Sequence, residues 1–94
     1  MIVVQKYGGS SVATAEKIAA VARRVAERAR EAEMVVVVSA MGDTTDELIS
    51  VARSLCAMPD EREMDKLLAT GEQASSALLA MALQEAGAPA VSLT

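Results

Sequence analysis

The sequence predicts an α/β fold, a parallel β-sheet with helical crossovers in the order β-α-β-α-α-β. Three observations point to it. The runs MIVVQK (1–6) and MVVVVS (34–39) are continuous and largely β-branched, the pattern of strands buried on both faces. The segments after them repeat apolar residues at helical spacing. The junctions where strand gives way to helix are rich in glycine, serine and threonine.

Each element follows in order. From Thr14 to about Ala32, the residues Ile18, Val21, Ala22, Val25 and Ala29 form one helical face, leaving Lys17, Arg24, Arg28 and Glu31 for solvent. After the second strand comes AMGDTT, and then a helix over TTDELISVARSLC with Leu48, Val51, Ala52 and Leu55 on one face. Thr44 and Glu47 have the spacing of a capping box. MPDER (58–62) is a turn, followed by a short helix around 63–69. Thr70, Gly71, Glu72 and Gln73 then open a longer helix to about Ala86, with Gly87 as the residue that ends it. PAVSL (89–93) reads as a third strand. The scattered methionines Met34, Met41, Met58, Met64 and Met81 form no single stripe and read as core filler.

Composition bounds the chemistry. The 94 residues make one small domain, and 52% apolar with 23% charged residues is a globular balance. Tyr7 is the only aromatic, so the core must come from aliphatic residues and alanine. A net charge of −4 speaks against nucleic acid as a partner. Cys56 is single and histidine is absent, which excludes an internal disulfide, zinc sites of the usual kind and histidine-dependent triads. No apolar run reaches membrane-spanning length and residues 1–5 are too short for a signal peptide, so the expectation is a soluble cytoplasmic chain without a membrane partner. Three parallel strands leave two open edges at Thr94, the pattern of the first part of a larger domain.

In an open parallel sheet, ligands gather outside the carboxyl ends of the strands. KYGGSS, SAMGDTT, ATGEQ and the terminal SLT all fall there. Neither GxGxxG nor GxxxxGK[ST] is present. Each candidate residue has two readings. Lys6 is either a strand-end lysine reaching water or a point charge for an anion. Gly8, Gly9 and Ser10 either turn the chain or cradle phosphate oxygens with their amides. Ser39 either satisfies a strand-end backbone group or binds a ligand, and Thr45, inside a first helical turn, has its hydroxyl uncommitted. Glu72 either complements a helix dipole or binds an ammonium group. Read together, the functional alternative is a phosphate-handling site whose acceptor is a carboxylate. Such an acceptor is already an anionic nucleophile at neutral pH, so positioning and charge neutralisation suffice without a general base.

QKYGGSSV, VVVVSAMGDTTDEL, REMDKLLATGEQ and PAVSLT closely resemble the N-terminal part of bacterial aspartokinases, members of the amino-acid kinase family. The resemblance runs along essentially the whole chain. SAMGDTTDEL with ATGE separates aspartokinases from relatives that act on glutamate, acetylglutamate, carbamate or nucleoside monophosphates. It implies ATP-dependent phosphorylation of the L-aspartate side chain to 4-phospho-L-aspartate, the first step toward lysine, threonine, methionine and diaminopimelate. By the same resemblance Lys6 is the catalytic lysine on the transferred phosphate, with Gly8, Gly9 and Ser10 around the phosphates. Ser39, Thr45 and Glu72 form part of the aspartate site. ATP with Mg²⁺ is the implied cosubstrate of the complete enzyme. Residues 1–94 correspond to the N-terminal segment of the kinase domain, an incomplete three-layer sandwich lacking the nucleotide-binding half and the regulatory domains. The expectation is therefore inactivity in isolation, with a homo-oligomer or a complementing kinase fragment as partner. The alternative is a non-catalytic, self-associating module of the same descent.

Overall fold

The computed structural model describes residues 1–93. Strand β1 (Ile2–Tyr7) leads through a 3₁₀ turn (Gly9–Val12) into helix α1 (Ala15–Arg28). Strand β2 (Glu33–Val38), helix α2 (Thr44–Leu55) and helix α3 (Glu61–Glu85) follow. The two strands are parallel and in register from Ile2 against Glu33 to Tyr7 against Val38. Thr14 caps α1, its hydroxyl oxygen accepting the Lys17 N–H at 3.2 Å. The helix then presents Ile18, Val21, Ala22 and Val25 to the core, as its spacing predicts, whereas Ala29, the fifth residue of that face, caps the helix end and is exposed.

The core lies between one face of the sheet and two helices. Those four α1 residues pack with Val12, Val38, Leu79 and Leu83, and Tyr7, Met34 and Val36 lie against the cluster. The strands were expected to be buried on both faces, and they are not. Side chains alternate across a strand, and both packed helices cover the same side. On the other side Ile2 and Val4 are about two-thirds exposed and Val35 and Val37 nearly half exposed.

Three further expectations give way. PAVSL forms no strand: a strand exists only through a neighbour's ladder, and segment 88–93 makes none. Its one side-chain tie is the Gln84 amide donating to the Ala90 carbonyl at 2.9 Å, and Val91 and Leu93 are exposed. Thr94 lies outside the described residues. The short helix and the helix opened by Thr70 are one helix of 25 residues. It starts at Asp60, whose carboxylate accepts the Glu63 N–H at 3.1 Å. Finally, the Thr44–Glu47 capping box does not form. Asp43 is the N-cap and makes no side-chain cap bond, and the Glu47 N–H bonds the Asp43 carbonyl at 3.0 Å.

The end of α3 matches its reading. Gly87 has φ +89, its N–H donates to the Gln84 carbonyl at 3.0 Å, and the Ala88 N–H donates to the Leu83 carbonyl at 2.9 Å. That pair is a Schellman motif, which requires the left-handed conformation glycine adopts without penalty. Helix α2 buries no residue fully, and of its apolar face Val51 and Leu55 are exposed. Met34 and Met41 pack on the core, whereas Met58 and Met81 are exposed rather than core filler. The Cα radius of gyration, 14.9 Å, exceeds the roughly 12 Å of a self-contained domain this size.

Candidate functional site at the carboxyl ends of the strands

The site is built where the backbone leaves β1 and β2. The last tie between the strands is the Ser39 N–H donating to the Tyr7 carbonyl at 3.1 Å. Beyond it the two loops are joined by the Gly42 N–H donating to the Gly9 carbonyl at 3.1 Å. Gly9 is required for that approach. A Cβ there would stand 2.9 Å from the Ala40 carbonyl oxygen, closer than real Cβ atoms come to a backbone atom that cannot swing aside. Gly8 differs: its φ of −77 suits any residue and a Cβ would meet nothing within 4 Å. The fold does not demand glycine at Gly8, and its effect is to leave exposed backbone bare.

Helix α3 reaches the same place through Gly71. A Cβ on Gly71 would lie 2.9 Å from the Ala40 Cβ and 3.4 Å from the Thr44 Cγ2. A glycine in a helix interior costs about 1 kcal/mol relative to alanine, and here it permits contact between α3 and the loop after β2. Thr45 and Glu72 are the immediate chain neighbours of that Thr44–Gly71 contact. Glu72 lies well inside α3, eleven residues past its first, and so cannot complement the dipole at the helix start. Instead it lines an open groove of about 290 Å³ beside β2, together with Val36, Val38, Ala69, Ser76 and Leu93.

Of the four segments expected to converge, KYGGSS, SAMGDTT and ATGEQ do so, through residues 8–10, 39–45 and 71–72, and Leu93 of the fourth lines the groove beside Glu72. Lys6 stands on the uncovered face of the sheet, exposed, in register with Val37 one residue short of the Tyr7–Ser39 tie. Ser10 is exposed, and Ser39 and Thr45 are half-buried. No ion pair joins Lys6 to Glu72: among the described residues the only one is Arg28–Glu31 at 2.9 Å.

One residue escaped the sequence reading. Lys17, assigned to solvent by its helical phase, folds its ammonium back to the Ser10 carbonyl at 3.1 Å. Lys6 is therefore not the only cation near the glycine loop. The signal lay in position: a lysine on the first turn of α1, three residues past the Thr14 cap, is within reach of the loop that precedes the helix. Among the described residues no three acidic, histidine or cysteine side chains come together as metal ligands. No helix there is long and apolar enough to cross a membrane.

The chain matches the model of the Amino acid kinase family over residues 1–94. It is 57% identical to an aspartokinase of Geobacillus stearothermophilus and 55% identical to aspartokinase 2 of Bacillus subtilis. Each comparison covers 99% of this chain and 23% of the relative, so the chain spans less than a quarter of those relatives' length. The crystal structure of aspartate kinase from Synechocystis is similar at a TM-score of 0.97 and 52% identity, over 99% of this chain and 16% of that one.

Proposed function

Because the chain belongs to the amino acid kinase family, as the N-terminal region of an aspartokinase, we propose that it supplies the phosphate loop and part of the acceptor site of an ATP-dependent, cytoplasmic aspartate kinase. The observation that carries the proposal is the convergence of two loops and the interior of α3 on one rim, locked by the Gly9–Gly42 backbone bond and by the close approach of Gly71 to Ala40.

The division of labour follows from the chemistry of each group. The side-chain carboxylate of L-aspartate attacks the γ-phosphorus of ATP, a P–O bond forms, the bond to ADP breaks, and 4-phospho-L-aspartate results. Lys6 neutralises charge on the transferring phosphoryl group, and the bare backbone at Gly8, Gly9 and Ser10 gives phosphate oxygens close access to amides. Glu72 pairs with the substrate ammonium, and the Ser39 and Thr45 hydroxyls donate to its carboxylate. No residue has to remove a proton, in keeping with a chain that has no histidine. Mg²⁺, when bound with ATP, offsets phosphate charge. It usually takes only one or two carboxylates besides phosphate and water oxygens, and the described residues offer no larger cage.

An ATP-dependent aspartyl-hydroxamate assay tests the proposal on the 94-residue chain, alone and with the remainder of an aspartokinase added as a second polypeptide. The expected result is no turnover alone and turnover on complementation. A complex that forms and stays inactive refutes it. The second reading, a non-catalytic self-associating module, is favoured by the uncovered apolar face of Ile2, Val4, Val35 and Val37. Light scattering on the isolated chain reports on it.

A further inference from the structure

In the glycine loop between β1 and α1, successive carbonyls are all taken. The Gly8 carbonyl accepts the Ser11 N–H at 3.1 Å, and the Gly9 carbonyl accepts the Gly42 N–H at 3.1 Å. The Ser10 carbonyl accepts the Lys17 ammonium, also at 3.1 Å. The Gly9 and Ser10 N–H groups, by contrast, donate to no backbone acceptor among the described residues. A trans peptide is planar, with its C=O and N–H pointing opposite ways. Holding the Gly8 carbonyl on Ser11 therefore fixes the Gly9 N–H in the other direction, and the Gly9–Gly42 bond does the same for the Ser10 N–H.

Lys17 closes this chain of ties. The Ser10 carbonyl and the Ser11 N–H belong to one peptide group, so the ammonium steadies the amide that in turn holds Gly8. It is the one side chain in the set, the other ties running backbone to backbone. Helix α1 does not explain its presence. Lys17 is the third residue of the helix after the Thr14 cap, where a capping box carries Glu or Gln. A cation in the first turn works against the helix dipole. Nor does a carboxylate hold it there, since the only ion pair among the described residues is Arg28–Glu31. What the position gains is the bond to Ser10.

We infer that Lys17 is a positioning residue: it holds the Ser10–Ser11 peptide so that the Gly9 N–H stays presented to an anion, and does not touch that anion itself. The inference rests on the kinase reading for its ligand, the phosphate oxygens of ATP, which successive oriented amides suit. Lys6 is the residue assigned to the transferring group. A contact made alike before and during transfer lowers KM without raising kcat, so a loosened loop shows in KM for ATP.

Two measurements test it, the first independent of the kinase reading. Backbone amide relaxation of the 94-residue chain reports the order of the loop. Lys17→Met keeps the apolar stem and removes the donor, and should loosen the Gly9 and Ser11 amides more than the Ser10 amide, which Gly42 still holds through Gly9. Lys17→Arg supplies a donor again and should restore them. The second measurement uses the chain complemented by the remainder of an aspartokinase. There Lys17→Met should raise KM for ATP about fivefold, the scale of one hydrogen bond, with KM for aspartate unchanged and kcat within about twofold. Lys17→Arg should recover most of that loss. A Gly9 amide as ordered in Lys17→Met as in the original chain overturns the inference, whatever the enzyme does. Equal rises in both KM values, the mark of a merely structural effect, overturn it as well, as does an Arg variant no better than Met. A kcat loss of about 100-fold would put Lys17 on the transferring phosphoryl group and end its positioning role. An unmutated complex without turnover refutes the kinase reading alone, and relaxation then decides whether Lys17 holds the loop.

Discussion

Ser75 is 1% exposed, and its hydroxyl is the buried side-chain polar atom without a hydrogen-bond partner among the described residues. Replacing it with alanine should stabilise the chain. A buried hydroxyl left unpaired costs about 1–3 kcal/mol, and alanine removes that cost. Alanine is also the better helix former by roughly 0.5 kcal/mol. Against this stands the space vacated by one oxygen, worth only about 0.3 kcal/mol at the usual cost per cubic ångström of cavity. The balance favours the variant by about 1–3 kcal/mol. In a domain this small each kcal/mol moves the melting temperature by roughly 4–8 °C, so thermal unfolding followed by circular dichroism should rise by at least about 5 °C. Ser50→Ala provides the control. Ser50 lies exposed inside α2 and gains helix propensity alone. If Ser75→Ala gains no more than Ser50→Ala, burial of an unsatisfied hydroxyl is not what distinguishes the two sites, and the reasoning fails.

Three other outcomes are expected. Gly9→Ala forces a Cβ to within 2.9 Å of the Ala40 carbonyl and should cost about 1–3 kcal/mol in urea unfolding, the range of an overpacked interior, whereas Gly8→Ala should be close to neutral for stability. In a chimera joining residues 1–94 to the rest of an aspartokinase, Lys6→Ala should lower kcat by at least ~100-fold with little change in melting temperature, and a variant with normal turnover would return Lys6 to the role of a solvated strand-end lysine. In the same chimera Glu72→Gln should raise KM for aspartate well above any change in KM for ATP, and equal effects on both would remove Glu72 from the ammonium site.

Much of this fold was legible because its signals are local. Two β-branched runs, the start of α1 near Thr14, the α1 stripe and the glycine after α3 each declare themselves within a few residues. What stayed illegible depends on distant partners. TGEQ looks like a helix start because glycine and threonine punctuate helices, yet the reason for Gly71 is Ala40, thirty-one residues away. PAVSL has the composition of a strand, but composition does not supply a ladder. The apolar residues on the outer face of the sheet read as buried because strand patterns report hydrophobicity, not whether a second layer arrives to cover it. For the candidate site, the rim and its three segments were readable from topology. Lys17 was not, since helical phase places a side chain on a face without showing how far a long, flexible one bends back.

Gly71 also divides α3 into unequal arms. At 1.5 Å per residue the helix runs about 37 Å, roughly 15 Å before the glycine and about 21 Å after it. The contact with Ala40 stands at the junction of the two arms, and the longer arm ends at the Schellman turn. A tilt of about 5° at that junction sweeps the far end through roughly 2 Å of arc for an arm of that length. A side chain introduced at Gly71 would on this lever arm displace Ala86–Pro89, which it does not touch, so the Schellman turn is where a poor fit between α3 and the loop after β2 would show most.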